Sequence, residues 1–161
     1  MELGQYEVVE DMLIDGLKIV QDTRLYRFTS DSVLLSRFAK AKNGDNVADF
    51  CAGSGIVAFH FYALNRHNVK NLSFTLFEMQ KPLLQLSQKT AVLNGFENFS
   101  FVEGNCRRFP KRIAKNFPSC YATRPTSGQG AVLTTTNTKR RFVARKLRSI
   151  YKRLQRRRRL R

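Results

Sequence analysis

Asp49-Phe50-Cys51-Ala52-Gly53-Ser54-Gly55 decides how this chain is read. The segment grows out of a short apolar run, Val47-Ala48-Asp49-Phe50, and leads into a longer one, Ile56 to Leu64. The first run has the length of a buried strand and the second that of a helix. A strand that ends in Asp-x-x-x-Gly-x-Gly and passes into a helix suits a nucleotide-like ligand. Its glycines let the backbone come close where a side chain would block the approach. The acidic residue one strand later, Glu78, is placed to hydrogen-bond ribose hydroxyls. Taken alone, the same residues also suit a plain tight turn and a surface carboxylate at a strand end.

Downstream, Leu72 to Glu78 alternates in polarity and reads as a second strand. Pro82 suits the start of a helix that runs to Leu93 and stops at Asn94-Gly95. Phe99-Ser100-Phe101-Val102 reads as a third strand, closed by Glu103-Gly104-Asn105. This β-α-β-α-β order predicts a parallel sheet with helices on its faces. Upstream, Asp15-Gly16 between Met12-Leu13-Ile14 and Leu17-Lys18-Ile19-Val20 predicts a hairpin. Thr29-Ser30-Asp31 offers helix caps before an apolar face of Val33, Leu34, Leu35 and Phe38. Phe59, Phe61, Phe74, Phe77, Phe96, Phe99, Phe101 and Phe109 read as core. His60 and His67 read as helix-surface or loop residues without partners.

The regular pattern stops near residue 117. A helix from Arg107 to Phe117 is interrupted by Pro110, and the fourth strand expected next is not evident. Pro118 to Thr138 is polar and rich in Thr and Gly. Lys139 to Arg161 spaces Val143, Leu147, Ile150 and Leu154 for a basic amphipathic helix, or else is disordered. The net charge of +17 divides at the same place. Residues 1–106 hold all twelve acidic groups and ten of the Lys and Arg, a net of −2. Residues 107–161 hold the other nineteen and no acid, a net of +19. Such a block would bind nucleic acid or anionic membrane through counterion release, without sequence preference. The Arg run 156–159 reads either as an RNA-binding arm or as out-of-frame noise. Cys51, Cys106 and Cys120 have neither metal-ligand spacing nor an even-numbered disulfide framework. No apolar run reaches membrane-spanning length and Met1-Glu2-Leu3-Gly4 is not a signal sequence, so a cytoplasmic protein without membrane partners is expected.

Three segments together resemble the bacterial tRNA adenine-N6 methyltransferases that modify an adenine beside the anticodon of a valine tRNA. They are Asp11 to Gln21, Tyr26 to Leu35, and the Asp49–Gly55 turn with Glu78-Met79-Gln80 behind it. The resemblance covers about residues 7–117. It implies a partial Rossmann-like α/β sheet of about three parallel strands, plus the N-terminal hairpin and helix. It implies S-adenosylmethionine as cofactor and tRNA as substrate; the cysteine and histidine positions themselves predict no metal site. It divides the chain into a methyltransferase portion, 1–117, and a basic tail, 118–161. Asp49, Ala52, Gly53 and Gly55 would line the methionine and ribose side, and Glu78 would take the ribose hydroxyls. Asn105, where the family has Asp, would meet the adenine edge with Cys106 beside it. Phe28 and Asp31 match the motif that closes over the cofactor.

The family's Asn-Pro-Pro-Tyr motif is missing, so no residue of this chain is assigned to catalysis. Whether the chain is an enzyme therefore stays open. A change of reading frame near Phe117 accounts for the loss. Read from the third base of the Phe117 codon, the codons of residues 118–127 permit Ser-Leu-Val-Leu-Cys-Asn-Pro-Pro-Tyr-Phe, a buried strand followed by the absent motif. With the fourth strand absent, the first would lie at an open edge, and the chain is expected to be monomeric or prone to aggregate. The alternative is a non-enzymatic RNA- or DNA-binding protein that works through its Arg- and Lys-rich tail, residues 139–161.

Overall fold

The computed structural model describes residues 2–104 and the backbone of two further strands. The order is β1 (Glu7–Asp11), β2 (Lys18–Asp22), α1 (Ser30–Phe38), β3 (Asn46–Phe50), α2 (Ile56–Asn65), β4 (Ser73–Glu78), α3 (Lys81–Leu93), β5 (Phe99–Glu103), β6 (Ser119–Ala122) and β7 (Thr136–Asn137). β1 and β2 form an antiparallel hairpin. The other strands form one sheet in the order β5-β4-β3-β6-β7. β3 to β6 run parallel, and β7 pairs antiparallel with β6. This is the partial Rossmann-like methyltransferase sheet that the sequence predicts, with one parallel strand more than expected.

That extra strand corrects two expectations. β6 pairs with β3 from Val47↔Ser119 to Phe50↔Ala122, so a fourth strand exists and β3 is not an edge. The open-edge argument for aggregation loses its basis. An apolar parallel strand leaves a row of unpaired N–H and C=O groups, and these can recruit even a short polar segment. The expected helix at 107–117 and the basic helix or disorder of the tail lie outside the described residues.

Alternation along the strands separates two faces. Val47, Phe74, Leu76 and Phe99 join Val57, Phe59 and Phe61 of α2, Leu35 of α1 and Ala91 of α3 in the main core. Phe74 and Phe99 stack at 4.5 Å, and Phe59 meets Phe99 at 4.7 Å. Seven of the eight expected core phenylalanines are buried or packed against a core cluster. Phe109 lies outside the described residues. Ala48, Phe50, Phe77 and Val102 form a cluster on the opposite face, to which no described helix contributes.

Two local readings shift. Asp15 (φ 49°) and Gly16 (φ 69°) make the expected tight turn, closed by the Leu17 N–H donating to Ile14 O at 2.8 Å. Met12-Leu13-Ile14 is not the strand before it. The Asp11 carboxylate accepts the Leu13 N–H at 2.7 Å, Leu13 takes a positive φ of 53°, and the strand ends at Asp11. On α1 the buried face is Ser32, Leu35 and Ser36, with Ala39 just beyond, while Leu34 and Phe38 point outward. Small residues suit this face because α1 packs closely on α2.

Candidate functional site

β3, β4 and β5 end on one edge of the sheet, as the pairs Phe50↔Phe77 and Glu78↔Glu103 require. Ligands of open α/β sheets bind at this carboxyl edge. The glycine turn leaves β3 here through three residues with positive φ: Cys51 (60°), Gly53 (59°) and Gly55 (84°). The Ala52 N–H donates to Phe77 O at 3.1 Å and the Gly55 N–H to Ala52 O at 2.8 Å, which tie the turn to β4 and close it on itself.

The two glycines do different work. A Cβ on Gly55 would lie 2.5 Å from Phe59 Cε2 and 2.8 Å from Leu76 Cδ2. Gly55 is therefore required by the packing of α2 on β4. Among the described residues, a Cβ on Gly53 would meet nothing within 4 Å. No described residue fills the space over Gly53, as a turn that admits a ligand requires.

Glu78 stands at the end of β4, 6 % exposed. Its Oε2 accepts the Gly53 N–H at 2.9 Å, and its Oε1 accepts the Met79 and Gln80 N–H groups, each at 2.9 Å. The reading of Glu78 as a surface carboxylate is thereby excluded. Each carboxylate oxygen has more than one acceptor position, so the group can take further donors while holding the turn. The Gly104 N–H donates to Glu78 O at 2.9 Å, so the end of β5 is fastened to the same corner.

Asp49 contrasts with Glu78. It has no exposed surface, and neither carboxylate oxygen has a hydrogen-bond partner. Burial pushes its carboxyl up to about 8; the Ala58 amide, which faces it without reaching hydrogen-bond geometry, lowers it, and the Glu78 charge raises it further. At neutral pH Asp49 is mainly the uncharged acid. Ala52 is also buried, at 3 % exposure.

Phe28 is half-buried against the main core, and its N–H donates to Gln21 Oε1 at 3.2 Å. Asp31 occupies the first turn of α1, half-buried. Asn105 and Cys106 lie outside the described residues. The histidine reading is corrected. His60 is 3 % exposed, and its Nδ1 lies 2.6 Å from Ser36 Oγ across the α1–α2 interface. His67 is exposed but bonds Asp15 at 3.1 Å, beside the Arg66–Asp15 ion pair. Sequence periodicity could not reveal either bond, because both partners lie far away in the chain. Among the described residues no helix is long and apolar enough to cross a membrane.

No protein-family model and no curated protein matches the chain. Solved structures do. A SAM-dependent methyltransferase from Agrobacterium tumefaciens is similar with a TM-score of 0.59 at 14 % identity, over 83 % of this chain and 45 % of that one. TYW2 of P. horikoshii, solved in complex with MeSAdo, is similar with a TM-score of 0.52 at 18 % identity, over 66 % and 39 %. Trm5b of Pyrococcus abyssi is similar with a TM-score of 0.51 at 14 % identity, over 68 % and 32 %. These likenesses show the fold: the chain has a partial Rossmann-like sheet of the kind these methyltransferases have. It spans less than half the length of each of these structures.

Proposed function

We propose that this chain is the cofactor-binding portion, residues 1–117, of an S-adenosylmethionine-dependent tRNA adenine-N6 methyltransferase. Its reading frame changes near Phe117, so the Asn-Pro-Pro-Tyr motif is lost and the chain as written is inactive. The observation that carries the cofactor reading is the corner where the Gly53 amide meets the Glu78 carboxylate under space that no described residue fills. Free acceptor capacity on a carboxylate, beside a turn that no described side chain covers, fits a ribose with two vicinal hydroxyls. When bound, S-adenosylmethionine supplies an electrophilic methyl group.

The residues of this chain bind and orient. Glu78 accepts hydroxyl protons, Gly53 leaves room, and Gly55 seats α2 on the sheet. By the resemblance, Ala52, Phe28 and Asp31 belong to the same site, and Asn105 and Cys106 are assigned to the adenine edge. The side chain and backbone acceptors that would polarise the adenine amine are those of the missing motif. The register of β6 favours the frame reading. Ala122, which pairs with Phe50 at the carboxyl end of β3, is followed in sequence by the four codons that permit Asn-Pro-Pro-Tyr.

The test sets the chain as written beside a frame-repaired chain, with labelled S-adenosylmethionine and unmodified tRNA. The repaired chain transfers methyl to adenine and the chain as written does not. Activity in the latter overturns the frame reading, and inactivity of both overturns the substrate assignment. Sequencing the gene across the Phe117 codon checks the frame directly.

The charge of the tail favours a second reading. Residues 107–161 carry +19, enough for non-specific binding to RNA or DNA through 139–161. Affinity that falls steeply with salt and disappears when 139–161 is deleted supports it.

A further inference from the structure

α1 carries Asp31 at its start and packs principally on α2, which starts from the glycine turn. Its far end leads into the loop before β3. There the Gly44 N–H donates to Lys70 O at 2.9 Å, and the Lys70 N–H to Asn43 Oδ1 at 2.8 Å. Lys70 lies between the end of α2 and the start of β4, at the amino edge of the sheet. α1 therefore runs from the carboxyl edge toward the amino edge, alongside α2 and in the same direction. Ser36 follows Asp31 by five residues and His60 follows Gly55 by five, each about 7.5 Å of helix rise. The Ser36–His60 contact thus sets Asp31 level with the glycine turn.

The protons of this contact are determined by its partners. Ser36 Oγ donates to Val33 O at 2.6 Å. The hydroxyl has a single proton, so toward His60 it acts as acceptor, and Nδ1 of His60 carries the hydrogen. Burial and the neighbouring Arg37 charge hold the imidazole below its ordinary pKa. It is a neutral donor with one defined tautomer, between groups 1 % and 3 % exposed.

We propose that the buried His60–Ser36 hydrogen bond is a latch that positions α1, and with it Asp31, against the glycine turn for cofactor binding. His60 is a positioning residue and does not touch the cofactor. The inference rests on the proposed cofactor reading for its effect on affinity. Its effect on the seating of α1 is independent of that reading.

The experiment uses the full chain with four variants. His60→Leu and Ser36→Ala remove the donor and the acceptor. His60→Asn keeps a donor at the Nδ1 position, and Ser36→Thr keeps the hydroxyl. Hydrogen exchange of the α1 amides is followed without ligand, and S-adenosylhomocysteine affinity is measured by calorimetry. His60→Leu and Ser36→Ala are expected to speed exchange in α1 more than in α2 or α3 and to weaken affinity about tenfold. The double variant should be no weaker than either single one, and His60→Asn and Ser36→Thr should stay within about threefold of wild type. Exchange that rises equally in all three helices, or not at all, overturns the latch whatever the ligand does. Affinity unchanged in both disrupting variants overturns its link to the cofactor. A wild type that does not bind, with α1 selectively loosened in the variants, overturns the cofactor reading and keeps the latch.

Discussion

The two strand-to-helix junctions at the carboxyl edge each carry one carboxylate, and the two are treated in opposite ways. At the end of β3, Asp49 is fully buried without a hydrogen bond. At the end of β4, Glu78 accepts three backbone N–H groups from two segments of chain. The first junction is shaped by its backbone and by the packing of Gly55. The second is shaped by a side chain that binds both its own turn and its neighbour's. The β3 junction therefore depends on what cannot be added to it, and the β4 junction on what cannot be removed.

The largest effect should come from adding a methyl group to the β3 junction. Gly55→Ala combines a φ of 84° with contacts of 2.5 Å and 2.8 Å to buried Phe59 and Leu76. Left-handed strain and overpacking together cost about 2–5 kcal/mol, a large part of the stability of a small domain. Gly53→Ala shares the positive φ without the contacts. It should cost only about 1 kcal/mol in urea unfolding. Equal losses in the two variants would erase the distinction between a packing glycine and a clearance glycine.

At the β4 junction, Glu78→Ala leaves three amide donors without their acceptor. Hydrogen bonds to a charged acceptor predict a loss of about 3 kcal/mol in urea unfolding. Glu78→Gln keeps one oxygen and turns an NH2 toward an amide, so it should recover only part of that loss. Full stability in Glu78→Ala would mean that water replaces the carboxylate without cost. The corner would then be no anchor.

Next comes the pH response of Asp49. Its folded pKa lies above the unfolded value, so the folded state holds a proton that the unfolded state has released. The stability from this group is fully present below about 4 and declines as pH rises to about 8. Asp49→Asn keeps the shape of the neutral acid and removes the titration. Denaturation midpoints at pH 5 to 9 should fall with pH more steeply in the wild type than in Asp49→Asn, and parallel curves would show that Asp49 is charged in the folded protein.

The contrast also marks what could be read in advance. Asp49 to Gly55 was legible because a turn after a strand needs glycine for local backbone reasons, and those reasons are written in adjacent residues. Glu78 was legible as an acceptor at a strand end. Its hold on Gly53, twenty-five positions away, was not. The Ser36–His60 bond was hidden for the same reason: a histidine among apolar helix residues does not announce its partner. The outward turn of Leu34 and Phe38 is not legible in the sequence, because helical spacing gives several faces and only the neighbouring α2 selects one. β6 was missed because Ser-Cys-Tyr-Ala has a weak strand signal of its own and is held by the edge of β3.

The smallest effect belongs to Cys51, which lies between the two junctions in kind. It has a φ of 60° without being glycine, in the turn where Gly53 and Gly55 have φ of 59° and 84°. A left-handed L-residue costs about 1–2 kcal/mol. Cys51→Gly relieves that strain but gives the unfolded chain more freedom, which takes back about 0.4–1 kcal/mol. The net should be a gain of about 0–1.6 kcal/mol, visible as a small rise in Tm. The turn then tolerates glycine at all three of its left-handed positions. A loss of stability in Cys51→Gly would show instead that contacts of the thiol outweigh the strain. In that case the β3 junction, like the β4 junction, would depend on a side chain that cannot be removed.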